Sequence, residues 1–193
     1  MVCALFLGLS LVFGVSEGLA SDACVKEVMV ESFDQQMPER SGVSIKNILD
    51  DSQTIKAELS PEDALGKRHG HSLMLAYDVN SYEPARVDFW FIPSQKDFSS
   101  FKTLRFFMKA DPVAGGSKNI TLQITDGLHR RSSYILTGIG KSWKLFEVPL
   151  KRFNRIRNWS DIQEIAFSLD DVYSIPKEGV LLIDEITVTA QSC

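Results

Sequence analysis

The histidines and the paired carboxylates of this chain are the side chains with the most obvious chemistry. His69 and His71 flank Gly70. On a strand, residues two apart point to the same side, so both imidazoles could face one metal ion. No cysteine or third histidine stands near them, and no metal centre is expected there. His129 lies in the run Asp126-Gly127-Leu128-His129-Arg130, a turn that should leave it in solvent. Adjacent acids occur at Asp50-Asp51, Asp170-Asp171 and Asp184-Glu185. Glycoside hydrolysis needs two carboxyl groups facing each other across a cleft, and adjacency alone does not supply that geometry. The chain has no Gly-x-Ser-x-Gly elbow, no His-Glu-x-x-His and no phosphate-binding loop. A non-catalytic protein is therefore expected.

A second set of residues suits binding. Leu104, Phe106 and Met108 alternate with Arg105, Phe107 and Lys109. If the first three face a core, the second three share the opposite surface of a sheet. Following segments offer Thr121, Gln123 and Thr125, then Tyr134, then Ser168 and Asp170. Sugars have apolar C–H faces and many hydroxyls, so an aromatic ring among convergent polar groups is the chemistry that holds them. Arg105, Phe107, Lys109, Gln123, Tyr134 and Asp170 are the expected ligand-binding residues, gathered in a shallow groove. Trp90, between Phe89 and Phe91, is assigned to the core.

The elements that must position these residues are strands. Ile120, Leu122 and Ile124 alternate with polar residues, as do Phe146, Val148 and Leu150, and Ile165, Phe167 and Leu169. Period two marks a half-buried strand. Further strands are expected at 28–33, 43–48, 53–58, 72–79, 86–92, 132–137 and 180–189. Turn chemistry separates them at Asp50-Asp51, Ala114-Gly115-Gly116-Ser117, Asp126-Gly127, Gly138-Ile139-Gly140 and Pro176-Lys177-Glu178-Gly179. Ten or more short strands with no convincing helix imply an all-β sandwich or barrel. The pattern has no internal repeat and no low-complexity linker.

The first stretch stands apart. Ala4 to Val15 is almost unbroken in apolar residues, and small and polar residues follow through Ser21. That length is short of the roughly 20 residues that span a bilayer, and it reads as a secretory signal over residues 1–20 with cleavage after Ala20. The remaining residues 21–193 form one domain, secreted or periplasmic, with no membrane association after cleavage. Cleavage removes one acid, Glu17, and no base, moving the net charge from −4 to −3. A nucleic-acid partner is not expected, since that needs a basic patch or stripe. Lys151, Arg152, Arg155 and Arg157 form a local basic cluster, read as a solvated turn. Cys24 and Cys193 remain at the two ends. First and last strands of a sandwich are often neighbours, and an exported protein can hold a disulfide. A Cys24–Cys193 bridge is one expectation and two free thiols the other. Asn119-Ile-Thr and Asn158-Trp-Ser fit the glycan-acceptor pattern.

Four segments carry a resemblance. They are Val30-Glu31-Ser32-Phe33-Asp34; Asp97 to Asp111; Tyr134 to Ile139 with Trp143, Phe146, Val148-Pro149-Leu150 and Phe153; and Gly179 to Ile186. Together they resemble galactose-binding-like jelly-roll domains, of the carbohydrate-binding-module and complex I intermediate-associated protein type. The resemblance implies a two-sheet antiparallel jelly-roll β-sandwich, with Trp143 and Trp159 in its packing. It also implies a structural Ca²⁺ between the opening and closing strands, at Asp34 and Asp184, with Glu31 and Glu185 close by. Such a cation takes carboxylate and carbonyl oxygens. The function implied is an exported, carbohydrate-binding-like module with a polysaccharide or glycan partner. The alternative is a protein-interaction or assembly domain with a protein partner.

Overall fold

Every period-two run of the sequence becomes a strand in the computed structural model, which describes residues 25–46, 53–67, 70–81 and 84–191. Eleven strands are present among these residues: β1 Val25–Glu31, β2 Ser41–Lys46, β3 Thr54–Ser60, β4 Ser72–Asp78, β5 Arg86–Phe91, β6 Thr103–Ala110, β7 Asn119–Asp126, β8 Arg131–Thr137, β9 Lys144–Pro149, β10 Ile162–Asp170 and β11 Glu178–Gln191. A single 3-10 turn, Leu150–Arg152, follows β9. Residues 1–20, His69, Asp50-Asp51 and both Cys24 and Cys193 lie outside the described residues, and so do the expectations placed on them.

The strands form two antiparallel sheets. One, here sheet A, has the order β3-β4-β11-β6-β9, with β1 also paired to β11. Sheet B has the order β2-β5-β10-β7-β8. Apart from the hairpins β3–β4 and β7–β8, strands that follow one another in the chain pass from one sheet to the other. β11 is the strand that holds sheet A together. Its first half pairs with β4, its second half with β1, and its opposite edge with β6.

The core lies between the sheets, where alternation sends one side chain in two. Leu104, Phe106 and Met108 of β6 are buried, as are Ile120, Leu122 and Ile124 of β7 and Ile165, Phe167 and Leu169 of β10. Phe106 ties the layers together. Its ring stacks on Phe146 of sheet A at 5.8 Å and meets Phe167 of sheet B edge-on at 5.6 Å. Aromatic pairs in these geometries add about 0.5–1.5 kcal/mol beyond area burial.

The two layers leave two outer faces, and the chain treats them differently. Over sheet A runs the segment after β3. Ala64 N–H donates to Asp184 Oδ2 at 2.8 Å, Glu62 pairs with Lys109, and Lys67 pairs with Glu185. Two strands of sheet A, β6 and β11, are thus tied to one crossing loop. Sheet B carries a row of small and polar side chains on its outer face, described next.

Candidate functional site

The outer face of sheet B is set by strand register. Across its middle run Gly42 of β2, Trp90 of β5, Ala166 of β10, Gln123 of β7 and Ser133 of β8. The next row is Ser44, Asp88, Ser168, Thr121 and Ile135. Glu164, Thr125 and Arg131 stand beyond the middle row on the other side.

These side chains point away from the core, yet the central ones are hidden from solvent. Ser168 is 1% exposed, and Asp88 and Gln123 are 3% exposed. This row is covered by its own neighbours: Arg86 reaches over Asp88 to Ser168, and the Trp90 indole lies over Gly42. Gly42, Ala166, Ser168 and Ser133 are the small residues of this face, and Trp90, Arg86 and Arg131 are its larger ones. Trp90 is half-buried, and its indole lies against Gly42: a Cβ at 42 would stand 3.0 Å from Trp90 Cζ2. Glycine lets the ring lie this close, since with any side chain at 42 the indole would have to give by a few tenths of an ångström.

Polar contacts order one end of this face. Asp88 accepts from Arg86 Nε at 2.6 Å and Lys46 Nζ at 2.8 Å, with Ser44 Oγ at 3.5 Å. Arg86 also donates to Ser168 Oγ at 2.8 Å. Burial works to raise the Asp88 pKa, but Lys46, Ser168 and Arg86 together hold it below the ordinary carboxylate range. At the other end, Arg131 donates to Glu164 Oε1 at 3.1 Å and to Thr125 Oγ1 at 3.3 Å. Between these ends, Gln123 Oε1 is buried with no hydrogen-bond partner. Leaving a buried acceptor unmade costs about 1–3 kcal/mol, so a group that a ligand can fill is the natural reading of such an atom.

The six residues expected to bind ligand do not share this face. Arg105, Phe107 and Lys109 lie on β6 in sheet A, whereas Gln123, Tyr134 and Asp170 lie on strands of sheet B. The expectation assumed that consecutive strands are neighbours, but the chain crosses between sheets after β6. Lys109 is bound to Glu62 and sits 5.0 Å from the centroid of the Trp143 ring, so Trp143 packs outside sheet A rather than in the core. Arg105 pairs with Glu27 and Glu147. Tyr134 faces inward: it is opposite Leu122 in the register and meets Phe153 edge-on at 6.4 Å. Asp170 accepts from the N–H groups of Val172 and Tyr173 at 2.9 and 2.7 Å and closes a turn. Of the six, Gln123 alone has its side chain on this face. Trp90, assigned to the core, belongs there instead. The signal for it was in the sequence, since the alternation that buries Phe89 and Phe91 must turn Trp90 outward.

No family model matches this chain, and no curated protein matches it in sequence. Solved structures do. A family 11 carbohydrate-binding module from Clostridium thermocellum, in complex with a β-1,3-1,4-mixed-linked tetrasaccharide, superposes with a TM-score of 0.64 at 16% identity, over 85% of this chain and 95% of that one. The solution structure of a module named CtCBM11 gives 0.67 at 16% identity, over 91% of this chain and all of the other, 100%. An exo-β-agarase gives 0.60 at 14% identity, over 86% of this chain and 25% of that one. The fold is that of a carbohydrate-binding module. At these identities the likeness is one of architecture, and the chemistry has to come from the residues of this chain.

The jelly-roll resemblance also placed a calcium ion at Asp34 and Asp184, and the residues can be tested for it. The region is unusual in its backbone. Phe33 and Glu185 have positive φ, 57° and 52°, and the β11–β6 register shifts between Asp184 and Thr187. Asp184 is fully buried, and its two oxygens accept from Ala64 N–H and Glu185 N–H at 2.8 Å each. The cation that joins Asp34 to Glu185 is the ammonium of Lys67, 3.0 Å from Asp34 Oδ2. Burial of that ammonium works against its charge, but its bonds to Glu185 and Asp34 outweigh the cost and raise its pKa. His71 Nδ1 lies 2.8 Å from the Asp34 carbonyl oxygen, the ring atom thus acting as donor. Asp34 Oδ1 and Asp63 Oδ2 are buried without a partner, yet among the described residues no three carboxylates, imidazoles or thiolates come together in a metal-holding group. As arranged, these residues do not fit a calcium ion, because a lysine occupies the charge position.

Proposed function

We propose that this protein is a non-catalytic carbohydrate-binding module that takes an oligosaccharide along the outer face of sheet B. The observation that carries the reading is the buried, unpartnered Oε1 of Gln123 on the outer face that also carries the half-buried indole of Trp90. Trp90 offers a flat apolar surface to the C–H face of a sugar ring, and Gln123 accepts from a hydroxyl. An aromatic with a few placed polar groups is the usual lining of a small-ligand site. The shared fold with a module solved in complex with a tetrasaccharide supports the same reading. A row of polar groups also suits a narrow chain of sugars better than the broad surface of a protein partner.

The absence of catalysis in this proposal rests on the carboxylates of this face. Asp88 is held by Lys46 and Arg86, and Glu164 by Arg131. A glycosidase acid needs a raised pKa and a second carboxyl facing it, whereas Asp88 is shifted the opposite way. Export is part of the proposal too, supported by the apolar run and small residues of 1–20. No helix among the described residues is long and apolar enough to cross a membrane.

Affinity electrophoresis through gels containing mixed-linked β-glucan, agarose or xylan tests the reading. Retardation by one of them, lost in Trp90→Ala and in Gln123→Ala, is the expected result. Free migration through all three, or retardation that survives both substitutions, overturns it.

A further inference from the structure

The outer face of sheet B does not end at Arg131. That residue lies on the groove face opposite Thr125, and it also lines a cleft of about 500 Å³ with Arg130, Asn154, Arg155 and Arg157. The β7–β8 turn supplies the first two arginines, and the loop after the 3-10 turn supplies the others. About 25 positions of sequence separate these pairs, so the sequence shows only half of the cluster. In a chain of net charge −4, four guanidinium groups around one cleft are a local reversal of sign.

The cluster is held in place rather than loose. Asp126 is fully buried, and it accepts from the Nε of Arg130 at 3.0 Å and from the backbone N–H groups of Arg157 and Asn158 at 3.2 and 3.1 Å. One carboxylate thus fixes both the turn that carries Arg130 and the loop that carries Arg157. Arg130 is paired with Asp126 and Arg131 with Glu164. Among the described residues, no carboxylate pairs with the guanidinium of Arg155 or of Arg157. Two of the four charges are therefore neutralised in place and two are left for something outside the chain.

We propose that the ligand of the groove is an anionic polysaccharide, its carboxylate or sulfate ester groups taken by Arg155 and Arg157 while its sugar rings lie over Trp90 and Gln123. This rests on the sugar-binding reading above. The geometry favours one ligand spanning both parts. Arg131 joins the two parts: its row lies two residues from that of Gln123 along the strands, about 7 Å, and it also lines the arginine cleft. Guanidinium groups bind carboxylate and sulfate through paired, charge-assisted hydrogen bonds, and such oxyanions are the charged groups that polysaccharides carry.

The test compares one backbone with and without charge. Mixed-linked β-glucan and agarose are each used in native form, oxidised at C6 to carry carboxylates, and sulfated. Affinity electrophoresis is run with the wild-type protein, with Arg155→Ala/Arg157→Ala and with Trp90→Ala. The expected result is about tenfold tighter binding of a charged form than of its native backbone, the worth of one charge-assisted bond. That preference should vanish in the double arginine variant, which keeps its affinity for the native backbone. It should also fade as sodium chloride rises from about 50 to about 500 mM. The oxidised and sulfated arms tell a uronate from a sulfate ester. Equal binding of native and charged forms, or a preference that survives the double variant, overturns the inference while leaving the groove reading intact. A charged form held as well by Trp90→Ala as by the wild type overturns the groove and the idea of one spanning ligand. Binding of none of the six polymers overturns the inference, and free migration through xylan as well overturns the groove reading.

Discussion

The indole of Trp90 rests on Gly42, its Cζ2 3.0 Å from where a Cβ at 42 would stand. This pairing of the largest side chain with the smallest residue sets the level of the ring on the sheet B face. Gly42→Val should push the indole up or aside. Sugar retention should then fall by about tenfold, as for loss of a contact of about 1.4 kcal/mol. The tryptophan fluorescence maximum should shift, while the melting temperature moves by no more than about 2–4 °C, the equivalent of about 1 kcal/mol for a domain of this size.

Gln123 gives a sharper test because binding and stability should part company. Its buried Oε1 has no partner in the free protein. Gln123→Met keeps the volume and removes the orphan acceptor. Stability measured by urea denaturation should stay level or rise by up to about 1 kcal/mol, whereas affinity for the retained polysaccharide should drop. A fall in both would show that the side chain is a structural group.

Asp184 predicts a pH dependence. Burial pushes its carboxyl up to about 7, with Glu185 and Asp63 adding repulsion and the Ala64 and Glu185 N–H groups opposing the shift. The folded state therefore binds this proton over a range where the unfolded chain, with an ordinary carboxylate pKa near 3.8, does not. Stability falls wherever the folded state holds more protons. It should decline as pH rises from about 4 to about 7 and then level off, by an amount on the order of 1–3 kcal/mol. Urea midpoints at pH 4.5, 6 and 8 would check the direction, with intervals of about 1.5–2 units spanning the window. Asp126 works the other way. Burial opposes its charge, but bonds from Asn158, Arg130 and Arg157 hold its pKa far below the usual range, so its stabilising effect is lost only in stronger acid.

Lys67 supplies the positive charge between Asp34 and Glu185, and Glu185 is only 6% exposed along its side chain. Lys67→Met should lower stability by about 1–2 kcal/mol, a figure moderated because the lysine is itself partly in solvent. Millimolar calcium should leave the melting temperature of the wild-type protein unchanged. A rise on adding calcium would show that a metal displaces the ammonium.

Much of the fold was legible because strand alternation is local. Leu104, Phe106 and Met108 had to share a side, and they do, in the core. The same rule, applied to Phe89-Trp90-Phe91, would have placed Trp90 outside. The site was harder to read because it depends on which strands are neighbours. Nothing in the run Arg105-Phe106-Phe107 says that the next strand leaves for the other sheet, and that crossing separated Phe107 from Gln123. The loop over sheet A was equally hidden, since the bond from Ala64 N–H to Asp184 joins positions 120 residues apart. Tyr134 was misplaced because a half-buried ring at the sheet margin satisfies either facing, and Phe153 decides it.

β11, which pairs with β1, β4 and β6 at once, also follows all of them in the chain. Sheet A therefore has no middle until synthesis reaches it. β4 and β6 are not adjacent without it, and β1 waits for a partner far along the chain. All five strands of sheet B emerge earlier, but their inner faces need sheet A to cover them. Closure of the two sheets is thus a late event, completed only once β11 slides into place, and long-range closure of that kind is slow. Until then the apolar faces of ten strands stand open, and the chain depends on whatever keeps unfinished proteins apart.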